Sequence, residues 1–168
     1  MRRITGIFAG IMLAWSGLVA AEHLDMPQGD PVLIVTGKIS HTNVDDTARF
    51  DREMLSALPA GTYKTSTIWT EGENTFVGVP LAVLLEAVGA EAQTVLATAI
   101  NDYTVEIPVS SITPQAPIIA YLLNDAPMSR RQKGPLWIVY PYDSDPEFRS
   151  EVVYSRSIWQ LDRLEMVE

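Results

Sequence analysis

Short runs of β-branched, aromatic and aliphatic residues, each cut off by Pro, Gly, Asn or Asp, recur from Pro31 to the end of the chain. Runs of this length between turn-formers are the pattern of strands rather than of long helices. The first, PVLIVTGKI from Pro31 to Ile39, is continuously apolar and predicts a buried strand. YKTSTIWT, from Tyr63 to Thr70, alternates and predicts another, followed by an acidic turn at Glu71 to Asn74. Gln93 to Ile100 and Tyr103 to Ile107 flank Asn101-Asp102 and read as a hairpin.

Two segments have helical spacing instead. Ala48 to Leu58 carries apolar residues at Phe50, Met54, Leu55 and Leu58, although Phe50-Asp51 can also extend a strand. In FVGVPLAVLLEAVGA, Pro80 suits a first helical turn, Leu81, Leu84, Leu85 and Val88 form one apolar face, and Gly89 stands where a C-terminal cap belongs. Further on, Pro117 to Leu123 is a buried strand, Asn124 to Pro127 a tight turn, and Trp137 to Tyr140 a strand closed by Pro141. A basic hinge containing Arg130, Arg131 and Lys133 separates those two strands. Pro141 to Glu151 is a polar loop, and the last strand or strands lie in VVYSRSIWQLDRLEMV, with Ile158, Leu161, Leu164 and Met166 packed. Strands joined by hairpins and loops, with few helices, make an α+β fold around a mixed sheet.

Composition narrows the function classes. Arg2 and Arg3, the apolar run from Ile4 to Leu18 and the small residues Val19-Ala20-Ala21 form a cleavable export signal over 1–21, leaving 22–168 as one domain, periplasmic or secreted. The apolar run is too short and too broken by Gly10, Ser16 and Gly17 for a span, so no membrane insertion is expected after cleavage. With 21 acidic against 12 basic residues the chain is strongly acidic, which argues against nucleic acid and anionic membrane surfaces. It has no cysteine and two histidines, His23 and His41, so neither thiolate chemistry nor a histidine-rich metal site is available, and no metal is expected.

Four segments, taken together and in order, resemble the molybdopterin-binding domain of sulfite-oxidase-like oxidoreductases. FVGVPLAVLLEAVGA is similar to that family's W-x-G-V-x-L-x-x-L-L entry into a helix, with Phe76 in the place of the Trp. INDYTVEIP resembles its D-G-Y strand, with Asp102 and Tyr103 present and the glycine missing. IIAYLLNDAPM is similar to its L-A-x-x-x-N-G-x-P-L turn, and KGPLWIVYP to its G-x-P-L-R-x-x-x-P strand. The resemblance implies the family fold and makes molybdopterin the possible cofactor. It also implies where the chain departs. The family's molybdenum-binding cysteine belongs in the strand that here reads TSTIWT, and Ser66, Thr67 and Trp69 offer no soft thiolate. Trp137 stands where the family has an arginine, giving one N–H and a large apolar face in place of a fork of donors.

Several residues then compete for roles. Arg130, Arg131 and Lys133 can bind a carboxylate or phosphate, or they are a solvated loop facing surface acids. Trp69, Trp137, Tyr140, Tyr142 and Trp159 can line a pocket or fill the core, Tyr142 being the best pocket candidate because it enters the polar loop. Asp102-Tyr103 can be an acid/base pair or a plain turn. Asp143, Asp145 and Glu147 have alternate carboxylates suggestive of a hard cation, interrupted by Pro146. The candidate pocket is therefore Thr67, Trp69, Asp102, Tyr103, Arg130, Arg131, Lys133, Trp137 and Tyr142.

The expected function is an exported molybdopterin-oxidoreductase-like domain without a working molybdenum centre and with no cofactor, a binding or sensory accessory protein. Its expected partners are a small anionic ligand, a membrane sensor or a redox subunit. The alternative is a molybdopterin-dependent oxidoreductase that lacks the cysteine ligand and uses an oxygen of Ser66 or Thr67.

Overall fold

The computed structural model describes residues 24–168, so the expected leader lies outside the described residues. The alternating and apolar runs become one mixed, curled sheet of ten strands, accompanied by three short α-helices. The first apolar run is β1 (Leu33–Gly37), and the hairpin of the sequence reading is β5 (Thr94–Ala99) with β6 (Thr104–Pro108), paired antiparallel. The final segment supplies β10 (Trp159–Val167), the longest strand, with Leu164 and Met166 buried by alternation and Leu161 buried as well because the register shifts between Leu161 and Arg163. β10 runs parallel to β1 and antiparallel to β5 and to β9 (Leu136–Val139), so it joins two arms of the sheet.

The Ala48–Leu58 segment is not one helix. Ala48–Phe50 forms β2 against β1, and the helix α1 (Arg52–Ala57) begins only after Asp51. The cause is the cap: the Asp51 carboxylate accepts from the backbone N–H of Met54 at 2.8 Å, and from Gln28 and Gly29 at 2.7 and 2.9 Å. Those bonds favour the charged form and hold the Asp51 pKa below its ordinary value. Phe50, just outside the cap, faces the core from the strand.

The sequence reading also misses a strand. Residues before the second helix form β4 (Glu73–Pro80), which lies between β3 (Gly61–Ser66) and β7 (Ile118–Leu123) in the sheet. Pro80 ends that strand and stands at the N-cap of α2 (Leu81–Ala87), and Gly89 follows the helix with φ +58°. Gly78 of β4 passes so close to β7 that a Cβ there would sit 2.2 Å from the carbonyl oxygen of Ile119. Only glycine permits that approach. At the far end of β7, Asn124 and Asp125 both take positive φ, a two-residue turn that returns the chain as β8 (Ala126–Pro127).

The strand expected over Tyr63–Thr70 stops at Ser66, and of the segment VVYSRSIWQLDRLEMV, expected to hold the last strand or strands, the first part is the helix α3 (Glu151–Arg156), capped by Ser150. A 3-10 turn at Pro146–Arg149 interrupts the polar loop, with Asp145 as its cap. No described helix is long and apolar enough to cross a membrane.

Candidate functional site

A tight turn after β3 places the first site residue. Thr67 Oγ1 accepts from the backbone N–H of Trp69 at 3.0 Å and shares a hydrogen bond with Thr70 Oγ1 at 2.8 Å. The buried Asn74 braces the other side, its amide donating to Thr70 Oγ1 and to the carbonyls of Glu71 and Gly72. Thr67 is thus spent on its own turn, and that turn projects Trp69 into a cluster of rings.

Trp69 is the hub of the cluster. Its indole meets Trp137 at 5.8 Å, Trp159 at 5.7 Å, Tyr154 at 5.7 Å and Tyr142 at 6.2 Å between centroids, all in the edge-to-face arrangement that aromatic quadrupoles favour. Trp137, on β9, is fully buried, packs its other side on Phe76 at 5.4 Å, and donates its Nε1–H to the carbonyl of Ser157 at 3.1 Å. Tyr142 does not open into the polar loop. It is buried, and its hydroxyl donates to Ser157 Oγ at 2.7 Å. Ser157 Oγ in turn donates to the Val153 carbonyl, so one buried serine ties both rings to α3. Burial pushes the Tyr142 phenol pKa above its usual value.

The basic hinge divides. The Lys133 ammonium lies over the Trp159 ring at 4.0 Å and the Trp137 ring at 5.1 Å, a cation–π arrangement, and its partial burial lowers its pKa. Arg130 and Arg131 are exposed and pair with no acid among the described residues. Only the Arg130 carbonyl is engaged, by Gln160 Nε2 at 2.6 Å. Gln160 itself sits in a β10 bulge with φ +53°, its N–H bonded to the Lys133 carbonyl and its carbonyl to Ile100 N–H.

Asp102 and Tyr103 also separate. The Asp102 carboxylate meets Arg163 Nη2 at 2.6 Å and thereby raises the Arg163 pKa, while the Tyr103 ring stands exposed on the far rim of a cavity. Asp143 accepts from Ser66 through its N–H at 2.5 Å and its Oγ at 2.9 Å, and Asp145 caps its own 3-10 turn. Those carboxylates serve the backbone.

The cavity, of about 400 Å³, lies beside Trp69, with the buried Ala99, Ser157 and Ile158 among its lining residues. Trp69, Tyr103, Tyr154 and Trp159 form its aromatic walls, with Asn101 and Gln160 at the edge. Tyr154, Gln160 and Asn101 carry no signal in the sequence: Val152, Val153 and Tyr154 of α3 are β-formers by type, and the bulge at Gln160 follows only from pairing with two neighbouring strands.

A phosphate-bearing molybdopterin with a thiolate-held metal fits this arrangement poorly. The slot between the Thr67–Trp69 turn and Lys133–Trp137 is filled by interlocked indoles, and the chain has no cysteine thiolate to hold the metal. The open cavity on the other side has no cationic side chain in its described lining to receive a phosphate.

The comparisons bear on ancestry. No curated protein sequence matches the chain. Among solved structures, the sulfane dehydrogenase SoxCD from Paracoccus pantotrophus is similar, with a TM-score of 0.58 and 17% identity. The match covers 86% of this chain and 40% of that one, so the chain spans less than half of that relative, and the likeness is one of fold. A family model described as the oxidoreductase molybdopterin binding domain matches residues 48–143, which include β2 through β9 and the Trp69 turn. On that match, over more than half of its length, the chain belongs to the oxidoreductase molybdopterin-binding domain family.

Proposed function

We propose that this chain is an exported accessory domain of its family, one that binds a small ligand beside Trp69 and reports it to a membrane sensor or a redox partner. The reading gives it no working molybdenum centre. One observation carries it: in a chain without cysteine, Trp69, Trp137 and Trp159 interlock at 5.8, 5.7 and 6.4 Å. They fill the slot beside TSTIWT where the family would seat its metal. An indole offers neither a thiolate nor a vacant coordination position, and a close-packed slot leaves no volume for a cofactor.

Molybdenum analysis of the full chain purified from its native cell envelope is the test. The expected result is far less than one metal per chain. Stoichiometric molybdenum, with turnover lost on Thr67→Ala, overturns the proposal in favour of an enzyme with an oxygen ligand from Ser66 or Thr67. Export is checked in the same preparation: sequencing should begin at Glu22, and a chain that keeps Met1 removes that part of the reading.

A further inference from the structure

The cavity beside Trp69 has a wall chemistry that narrows its occupant. Although 20% of the chain is charged, no charged side chain lines the cavity among the described residues. An anion would find no guanidinium or ammonium in the wall, and burying it without a partner costs too much. A cation would find no carboxylate, and the π face of Trp159 already carries the Lys133 ammonium at 4.0 Å. A second cation against the same indole would be repelled by the first across a single ring.

What remains on offer is aromatic area with a few neutral polar atoms. The hydroxyls of Tyr103 and Tyr154 and the Nδ2 of Asn101 form no hydrogen bond with a described residue, although Asn101 Oδ1 accepts from Tyr103 N–H. The volume, about 400 Å³, suits a small molecule of one or two rings. The exposure of two of these rings points the same way. Of the six large apolar side chains left exposed among the described residues, Trp159 and Tyr103 line the cavity. Exposed aromatic area brought together at a cavity is the mark of a binding site. The positive φ of Gln160, at the cavity edge, is backbone strain of the kind that collects at such sites.

We propose that this cavity binds an uncharged, flat, ring-bearing molecule with one neutral hydrogen-bonding group, its ring resting against Trp69 between Tyr154 and Trp159 and its polar group toward Asn101 and Tyr103. The proposal rests on the reading that the slot behind Trp69 holds no cofactor. It replaces the anion expected from the basic hinge, because neither arginine lines the cavity.

Three flat bicyclic probes of matched size test it by charge alone: neutral naphthamide, anionic naphthoate and cationic N-methylquinolinium. Binding to the full chain is followed by calorimetry and by fluorine NMR of fluorotryptophan-labelled protein. The expected result is that naphthamide binds at least about tenfold more tightly than either ion, because each ion would be buried unpaired. It should shift the Trp69 and Trp159 resonances and leave that of Trp137 in place. Ser155→Phe, which fills the cavity from the exposed surface of α3, should remove binding without changing the melting temperature. If that variant does not fold, the wild-type resonances carry the same test. Equal or tighter binding of naphthoate or N-methylquinolinium overturns the proposal, as does the absence of any shift with naphthamide or a shift led by Trp137. Stoichiometric molybdenum would instead defeat the reading beneath it, so the two failures are distinguishable.

Discussion

Trp69 has two unlike sides built from the same kinds of residue. Toward Trp137, Phe76 and Tyr142 everything is buried and every indole or phenol group but one is hydrogen-bonded. Toward Tyr154, Tyr103 and Trp159 the rings stand around open space. Composition does not decide which side closes. Strand pairing does: Trp137 sits on β9, held between β7 and β10, whereas its cross-strand neighbour Trp159 is the first residue of β10, beside the bulge at Gln160. The difference teaches that rings of one kind close into a core or stand around open space according to how their strands are paired.

The largest expected effect lies on the closed side. Trp137→Ala empties a fully buried ring position and removes the Nε1–H bond to Ser157, and should cost about 3–5 kcal/mol in urea unfolding. A loss below about 1 kcal/mol would mean that the slot is not close-packed, and would break the comparison. On the open side Trp159 is 37% exposed, and Trp159→Ala removes two ring pairs and the better of the Lys133 contacts. Its expected cost is about 1.5–2 kcal/mol, from two partly solvated ring pairs at the low end, roughly 0.5 each, and an exposed cation–π contact of roughly 0.5–1. Equal costs at positions 137 and 159 would erase the distinction between the two sides.

How much of this was legible follows from which interactions are local. The strands β1, β5, β6, β7, β9 and β10 were legible because their alternation or apolar runs sit between turn-formers, and α2 because Pro80 and Gly89 bracket its apolar face. β4 was hidden: FVGV is short and leads through Pro80 straight into the helix, and only pairing on both edges with β3 and β7 makes it a strand. α3 was hidden because Val152, Val153 and Tyr154 favour strands by type, while its start is set by one hydroxyl, that of Ser150. In the site, Trp69 and Trp137 were legible as departures from the family pattern. Their mutual packing was not, since nothing in TSTIWT says that the turn begins at Thr67. The basic hinge misled for a similar reason: three cations close in sequence point apart once the Lys133 stem bends over the rings.

Two tyrosines sharpen the account of the closed side. Tyr142 donates to Ser157 Oγ at 2.7 Å, whereas the buried Tyr140 hydroxyl has no hydrogen-bond partner among the described residues, and burial pushes its pKa up to about 12. Tyr142→Phe should therefore cost about 1 kcal/mol, the net worth of a buried hydrogen bond. Tyr140→Phe should cost nothing or stabilise slightly, because it removes a polar group already stripped of water. Paired melting curves decide it, and a larger loss at Tyr140 would mean that its hydroxyl does have a partner.

The smallest effect concerns how the closed side is fastened to the edge of the sheet. Asp143 follows Tyr142 and clamps β3 through the Ser66 N–H and Oγ, and its own N–H donates to Thr65 Oγ1 at 3.0 Å. The Ser66 bonds, first the backbone one, favour the carboxylate and hold its pKa below the ordinary value. A depressed pKa in the folded state means stability present above the unfolded value, roughly 4, and lost as the pH falls through the folded value. Asp143→Asn keeps the Thr65 bond but weakens the charge-assisted one. The melting temperature of the variant should fall below wild type at pH 7, and the gap should close by about pH 3, where the wild-type carboxyl is protonated. The group is exposed, so the gap will be small, and faster exchange of the Ser66 amide is the more sensitive readout. A gap that persists unchanged at low pH would show that the loop is held by shape rather than by this charge, and the closed side would then owe its order to the rings alone.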